Sequence, residues 1–200
     1  MAQTTNIAFE KAKETDIKGM AEIEKLFFGS YGRAFDEESL TKWFLHNPDM
    51  FYVVKDELDE LQAFAIVAPV TEGLYQKLRT GQESDMYDFK EEDVVKTFES
   101  KYFYLADICI KDQENISQYL KVATVLIGEM MKLMYVNAKY VLATPVTEKG
   151  LKISKTIGFV PVATDIVDGQ EYPVCEIVVT EEKYQKYKGL IDRSSQMSRP

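Results

Sequence analysis

Apolar and polar positions recur along this chain in two rhythms, one of period two and one near 3.6, and they divide it into candidate strands and helices. Residues 7–13 alternate loosely and predict a first strand. Asp16 then stands where a helix cap is wanted, ahead of Ile17, Met20, Ala21, Glu24 and Phe27 at helical spacing. A second helix opens at Asp36, carries Leu40, Trp43 and Phe44 with its aromatics turned inward, and stops at Asn47-Pro48. Residues 51–54 and 61–70 are β-rich runs, and the charged stretch 55–60 between them reads as a hairpin. Pro69 marks the end of the second run or an exposed edge.

Residues 72–100 break the rhythm. They hold eight acidic side chains against four basic ones, a local charge of 4 − 8 = −4, with a helix expected near 91–100. The segment reads as a solvated connector or, given its length, as an acidic lid carrying Asp85, Asp88, Glu91 and Glu92. Residues 101–111, KYFYLADICIK, are nearly continuous apolar sequence between charges, as a strand covered on both faces requires. After a polar loop at 112–117, Leu120, Ala123, Ile127, Met130 and Met134 trace an apolar helical stripe, with Lys121, Thr124, Gly128 and Lys132 opposite. Residues 140–145 predict a strand and 148–156 a short helix closed by Gly158. A strand pair at 159–167 and 172–179 turns at Asp168-Gly169, and the last twenty residues read as a polar helix fraying into a tail. The predicted order is β-α-α-β-β-β-α-β-α-β-β, with residues 1–180 as a single domain.

Composition narrows the chemistry. The formal charge of −9, from 24 basic and 33 acidic side chains in 200 residues, argues against nucleic-acid and anionic-membrane partners, which call for a basic surface. The longest apolar run, 63–70, is too short for a signal sequence or a span, so a cytoplasmic protein is expected. Cys109 and Cys175, each in an apolar segment, read as buried thiols. His46 is the lone histidine and there is no C-x-x-C, which disfavours Ser-His-Asp and Cys-His catalysis and a zinc site; no metal is expected. Neither G-x-G-x-x-G nor G-x-x-x-x-G-K-[ST] occurs.

Two local patterns carry a resemblance. Gln118-Tyr119-Leu120-Lys121-Val122-Ala123, at the start of the long helix, is similar to the Q/R-x-x-G-x-G/A loop of the GNAT acyltransferases, with Lys121 at a position where that family usually has glycine. The segment 148–159 resembles the family's short helix leading through a Gly-Phe pair, here Gly158-Phe159, into its last strands. Together with the element order, the resemblance spans residues 7–179 and implies an α/β (α+β) fold with a GNAT-like mixed, mostly antiparallel sheet flanked by helices.

The resemblance implies an acyl-CoA-dependent N-acyltransferase, an acetyltransferase by preference, that binds acetyl-CoA or coenzyme A and takes an amine of a small molecule or peptide, cationic if the acidic stretch faces it. It implies that backbone N–H groups of Ile108, Cys109 and Ile110 hold the thioester carbonyl, and that Gln118, Lys121, Val122, Ala123 and Thr124 meet the pyrophosphate at a helix N-terminus. Asp107 matches the strand carboxylate that often serves as base, and burial would raise its pKa. Glu72 is a second candidate base. Ser154 stands where many relatives have an acid tyrosine and reaches a thiolate only through water; Thr147 replaces a frequent asparagine. Tyr119 and Tyr172 are further candidates for the acid. The alternatives are a GNAT fold without turnover that works as a ligand-binding or regulatory protein, favoured by Lys121, Thr147 and Ser154, and an unrelated α/β protein.

Overall fold

The computed structural model describes residues 7–29, 34–83, 86, 88–111, 114–167 and 169–197, with the side chains of Val167 and Ser195 set aside. In chain order the elements are β1 (Ile7–Lys11), α1 (Ile17–Phe28), α2 (Glu37–His46), β2 (Phe51–Asp56), β3 (Leu61–Val70), α3 (Glu72–Arg79) and β4 (Tyr102–Ile110). They continue as α4 (Ile116–Asn137), β5 (Tyr140–Ala143), α5 (Glu148–Thr156), β6 (Val160–Val167), β7 (Gln170–Val178) and α6 (Glu181–Met197). Among the described residues the strands form one sheet in the order β1-β2-β3-β4-β5-β7-β6. β1–β2, β2–β3, β5–β7 and β6–β7 are antiparallel. β4 and β5 run parallel, Tyr102 facing Tyr140 and Leu105 facing Ala143, so the expected adjacency of these strands holds and the sheet is mixed but mostly antiparallel.

The chain forms two compact units. The first holds β1, α1, α2, β2, the start of β3, the end of β4, most of α4 and the end of α6. In it, Ile17, Met20 and Ile23 bury one side of α1. Asp36 caps α2 as expected, its Oδ1 accepting the Ser39 N–H at 2.8 Å. Asp16 does a different job from the one its position suggests. Its carboxylate accepts the Lys13 N–H at 2.8 Å and lies 2.8 Å from Lys55 Nζ, because a 3-10 turn precedes α1 and the buried lysine claims the charge. Lys55 is not part of the hairpin loop but of β2. Burial works against its charge, yet the Asp16 and Glu10 carboxylates raise its pKa overall. The turn itself is made by Asp59 in the left-handed region (φ 62°) and by Asp56 Oδ1, which accepts the Leu58 and Glu60 N–H groups.

The long helix and the C-terminal helix depart from the predicted stripe. Leu120 is exposed, whereas Gly128, placed on the polar side by its spacing, is buried. The reason is α6: a Cβ on Gly128 would stand 2.4 Å from both Cβ and Oγ of Ser194. Residues 181–197 form the expected polar helix, and its inner face is docked. Ile191 and Ser194 are buried, and the Ser194 hydroxyl lies 2.7 Å from the Ile191 carbonyl and 3.2 Å from Glu129 Oε1.

In the second unit, the segment 72–100 contains a helix that its composition hides. Thr71 caps α3 by accepting the Leu74 N–H, and Leu74, Tyr75 and Leu78 form its buried face. The helix expected at 91–100 reduces to a 3-10 turn at Glu91–Asp93. Val94 bridges Val70, Thr71 N–H donates to Asp93 and Val95 N–H to the Pro69 carbonyl, which holds this stretch extended. Pro69 is buried and interior, so it marks the strand's end and not an edge. Met86 and Phe89 are buried, Phe89 edge-on to Tyr104, while Asp85 lies outside the described residues, as do Asp112, Gln113 and Asp168 of the predicted loop and turn. Tyr75, Tyr102 and Tyr140 stack with centroids 4.6 to 5.8 Å apart, and Glu176 accepts from the Tyr75 hydroxyl and, at 3.0 Å, from Arg79 Nε. Gly158 ends α5 at φ +96°, a conformation that disfavours a Cβ.

The close crossing at Gly128 gives a signed prediction. Gly128→Ala should lower the melting temperature although alanine favours helix by about 1 kcal/mol, and adding Ser194→Gly should recover part of the loss. Gly189→Ala on α6, where a Cβ meets nothing within 4 Å, should instead raise it by about 2–4 °C in a thermal melt.

Candidate active site

β4 alternates its side chains, so Asp107 and Cys109 point to one side of the strand, and both are buried. From α1 comes Glu24, 1% exposed, one turn after Met20 in the same apolar stripe. The thiol and carboxylate atoms of Glu24, Asp107 and Cys109 lie within 4.8 Å of one another. Cys109 Sγ is 3.6 Å from Glu24 Oε2, the thiol donating, and the Phe35 backbone N–H also donates to Glu24. Burial and then the Asp107 charge push the Glu24 carboxyl up to about 9, with the Phe35 and Cys109 donors pulling it part of the way back. Burial, followed by Asp107 and Glu24, holds the Cys109 thiol well above its ordinary range. Burial likewise raises Cys175. Both cysteines are free, as expected, but the surroundings of Cys109 include two carboxyl groups and are not wholly apolar.

Sequence reasoning reached Asp107 and missed Glu24 as a site residue. The signal was present: a glutamate occupying an inward position of an otherwise apolar helical stripe must either be paired or hold a proton. Beside α1 opens a cavity of about 470 Å³ lined by side chains of both signs, among them Lys18, Glu22, Lys25, Asp36 and Glu37. Phe35, whose backbone N–H reaches Glu24, is part of its wall.

The other predicted site residues fall as follows. β4 continues through Ala106, Asp107, Ile108, Cys109 and Ile110 beyond Leu105, its last residue paired with β5. α4 starts a few residues later, with Asn115 Oδ1 accepting the Gln118 N–H at 3.2 Å. Gln118 and Lys121 are half-buried on its first turns, while Val122 and Ala123 turn inward. The Thr124 hydroxyl is turned back on the helix, donating to the Leu120 carbonyl at 2.7 Å. Glu72, exposed at the start of α3, hydrogen-bonds the Tyr102 hydroxyl, whose pKa rises chiefly for that reason. Ser154 is buried in α5, and Thr147 caps that helix through the Gly150 N–H at 3.0 Å. Tyr172 donates to Gln170 Oε1 at 2.6 Å, and Tyr119 is half-buried on α4. Glu72, Ser154 and Tyr172 belong to the second unit, and Asp107 with the α4 residues to the first. Among the described residues no helix is long and apolar enough to cross a membrane.

This succession of elements, with a parallel β4–β5 pair joined by a long helix inside a mostly antiparallel sheet, defines the GNAT fold. Solved structures agree at low sequence identity. The loading GNATL domain of CurA from Lyngbya majuscula is 10% identical with a TM-score of 0.63, covering 86% of this chain and 98% of that one. The aminoglycoside acetyltransferase AAC(6')-Ib, solved in complex with coenzyme A, is 9% identical with a TM-score of 0.58, covering 91% and 99%. The protein yncA from Salmonella typhimurium, solved with its cofactor acetyl-CoA, is 10% identical with a TM-score of 0.59, covering 88% and 95%. No protein-family model matches the chain, and no curated protein matches it in sequence.

The thiol environment is directly checkable. At pH 8 neither Cys109 nor Cys175 should react with a disulfide reagent in the folded protein on the time scale on which both react after unfolding, because burial disfavours the thiolate. Rapid labelling of Cys109 in the native state, followed by mass spectrometry, would contradict its inert role.

Proposed function

We propose that the protein is an acyl-CoA-dependent N-acyltransferase, by preference an acetyltransferase, acting on an amine of a small molecule or peptide. The observation that carries this reading is Asp107, a buried carboxyl on the part of β4 that runs past β5, just ahead of the helix whose N-terminus suits a phosphate.

The residues present fit acetyl-CoA. The 22-residue α4 offers the positive end of its dipole, Lys121 adds a cation within two turns of it, and exposed Ile116 and Leu120, one turn apart, give apolar surface for the less polar parts of the molecule. Gln118 would contribute from the first turn, whereas Val122, Ala123 and Thr124, one turn further on and turned inward or back on the helix, would act only by setting the helix in place. When bound, acetyl-CoA supplies an activated acyl group. Backbone N–H groups of Ile108, Cys109 and Ile110 would polarise its carbonyl. Asp107 would take one proton from the ammonium form of the acceptor. The freed nitrogen attacks the carbonyl carbon, the C–N bond forms and the C–S bond breaks, and the second proton lost from nitrogen passes to the sulfur. The amide and the free thiol leave, and Asp107 returns its proton to solvent. Glu72 is the second candidate base.

Of the features favouring a fold without turnover, Thr147 loses its weight, since its hydroxyl caps α5 as an asparagine would. Lys121 and Ser154 keep theirs. A hundredfold excess of coenzyme A over its Kd should stabilise the fold by about 2.7 kcal/mol, a melting shift of roughly 5–10 °C. Lys121→Glu should remove that shift, and Asp107→Asn should keep it while lowering kcat by about 10²–10⁴-fold. No shift in the wild-type protein, with a shift appearing in Lys121→Gly, would overturn the enzyme reading and favour a plugged, non-catalytic groove.

The exposed Asp88, Glu91 and Glu92 support a cationic acceptor drawn by the acidic stretch 72–100. Reversing the three to lysine should raise KM for such an amine and leave coenzyme A binding intact; an unchanged KM leaves the stretch a connector.

A further inference from the structure

Among the described residues, the hydroxyls of Tyr135 and Thr144 are buried with no hydrogen-bond partner. A buried hydroxyl is ordinarily paired, because burial strips its water and leaves the loss uncompensated. Tyr135 lies edge-on to Tyr184 of α6, and its ring has a packing role there. Thr144 has no comparable task. It is the first residue past β5, and a valine would fill the same volume without a polar atom. It does not cap α5 either, since Thr147 holds that place through the Gly150 N–H.

The position of Thr144 is set by the strand ladder. Leu105 and Ala143 form the last β4–β5 pair, and Pro145, which has no N–H, cannot carry the pairing further. β4 continues into Ala106 while the other strand ends, so the two part at Thr144. Parallel strands that part leave room for an extended molecule whose own amide groups can bond to the protein as a neighbouring strand would.

We propose that the Thr144 hydroxyl hydrogen-bonds an amide group of the acyl donor, in the chain that joins the thioester of acetyl-CoA to its pyrophosphate. This inference rests on the acyltransfer reading, which puts the thioester on β4 and the pyrophosphate at the start of α4, with the amide-bearing chain running from one to the other. A threonine hydroxyl donates one hydrogen bond and accepts two, so it serves either the N–H or the C=O of an amide. Thr144 as a whole is half-buried, and a turn about its Cα–Cβ bond exchanges the enclosed hydroxyl with the methyl group. Donor binding thus gives the hydroxyl the partner it lacks. Only a donor that carries the amide chain makes this bond, which sets Thr144 as a specificity residue against short thioesters and acyl phosphates.

Coenzyme A binding measured by isothermal titration calorimetry, set beside thermal melts of the free protein, tests this without any acyl transfer. Thr144→Val keeps the shape and removes the hydroxyl. It should raise the melting temperature of the free protein by about 2–4 °C, since an unpaired buried hydroxyl becomes a methyl group, and yet weaken coenzyme A binding by about 3- to 10-fold. Thr144→Ser keeps the hydroxyl and should bind within about twofold of the wild-type protein. A threonine with only a structural role would leave the affinity unmoved. If Thr144→Val does not fold, Thr144→Ala set against Thr144→Ser reads the same hydroxyl. Unchanged affinity on loss of the hydroxyl, or an equal fall in Thr144→Ser, overturns the proposal and leaves the acyltransfer reading in place. A wild-type protein that does not bind coenzyme A overturns both.

Discussion

The parallel pairing of β4 with β5 is the constraint from which the rest of the arrangement follows. Two parallel neighbours cannot be joined by a tight turn, so the chain has to travel back the length of the strand before it can pair again, and the 22-residue α4 is that return path. A helix forced to begin just after the end of β4 places its N-terminal amides next to the last residues of the strand. Because β5 stops at Ala143, opposite Leu105, β4 goes on alone past that partner with Ala106 to Ile110. The strand end that bears Asp107 and Cys109 and the helix start that bears Gln118 and Lys121 are thus products of one topological requirement.

Three sets of carboxylates are handled in different ways, and the contrast bears on what each one can do. Asp16 is neutralised by the buried Lys55, at 2.8 Å, with Glu10 at 3.1 Å sharing the same ammonium. Glu176 has a cation and a phenol, Arg79 and Tyr75. Those arrangements fix charge in place and lock neighbouring elements, β1 and the α1 entry in one case and α3 and β7 in the other. Glu24 lies against Asp107, the Cys109 thiol and the Phe35 backbone amide, and burial raises its pKa.

Much of the fold was legible because the elements obey simple periodicities. β4 reads as a buried strand from residues 101–111, α5 from its spacing and Gly158, and α2 from Asp36 and Asn47-Pro48, each a local signal strong enough to survive packing. Three of the failures share one cause, which is that a partner distant in sequence changed the outcome. The 91–100 stretch lost its helix to the Val70–Val94 bridge, Gly128 was drawn into the interior by α6, and Asp16 was diverted from capping by Lys55. Of the candidate site, Asp107 was visible as a charge inside an apolar strand. Glu24 was visible in the same sense, but its meaning depends on Asp107 standing opposite, which no spacing along the chain encodes.

Identities of 9–10% alongside TM-scores near 0.6 show how little of a sequence the GNAT fold prescribes. What the fold needs is a period-two core in the strands, a long helix between β4 and β5, and a left-handed residue after the short helix; many residues meet each need. Catalysis is more demanding, since a carboxylate has to stand at the free end of β4 and remain able to exchange a proton. In the reaction we propose, Asp107 stands in that place, with Glu24 of α1 beside it. A neighbour such as Glu24 is costly to bury and contributes nothing to the fold that a leucine in the same stripe would not. Its place in the stripe is therefore not accounted for by the packing of α1.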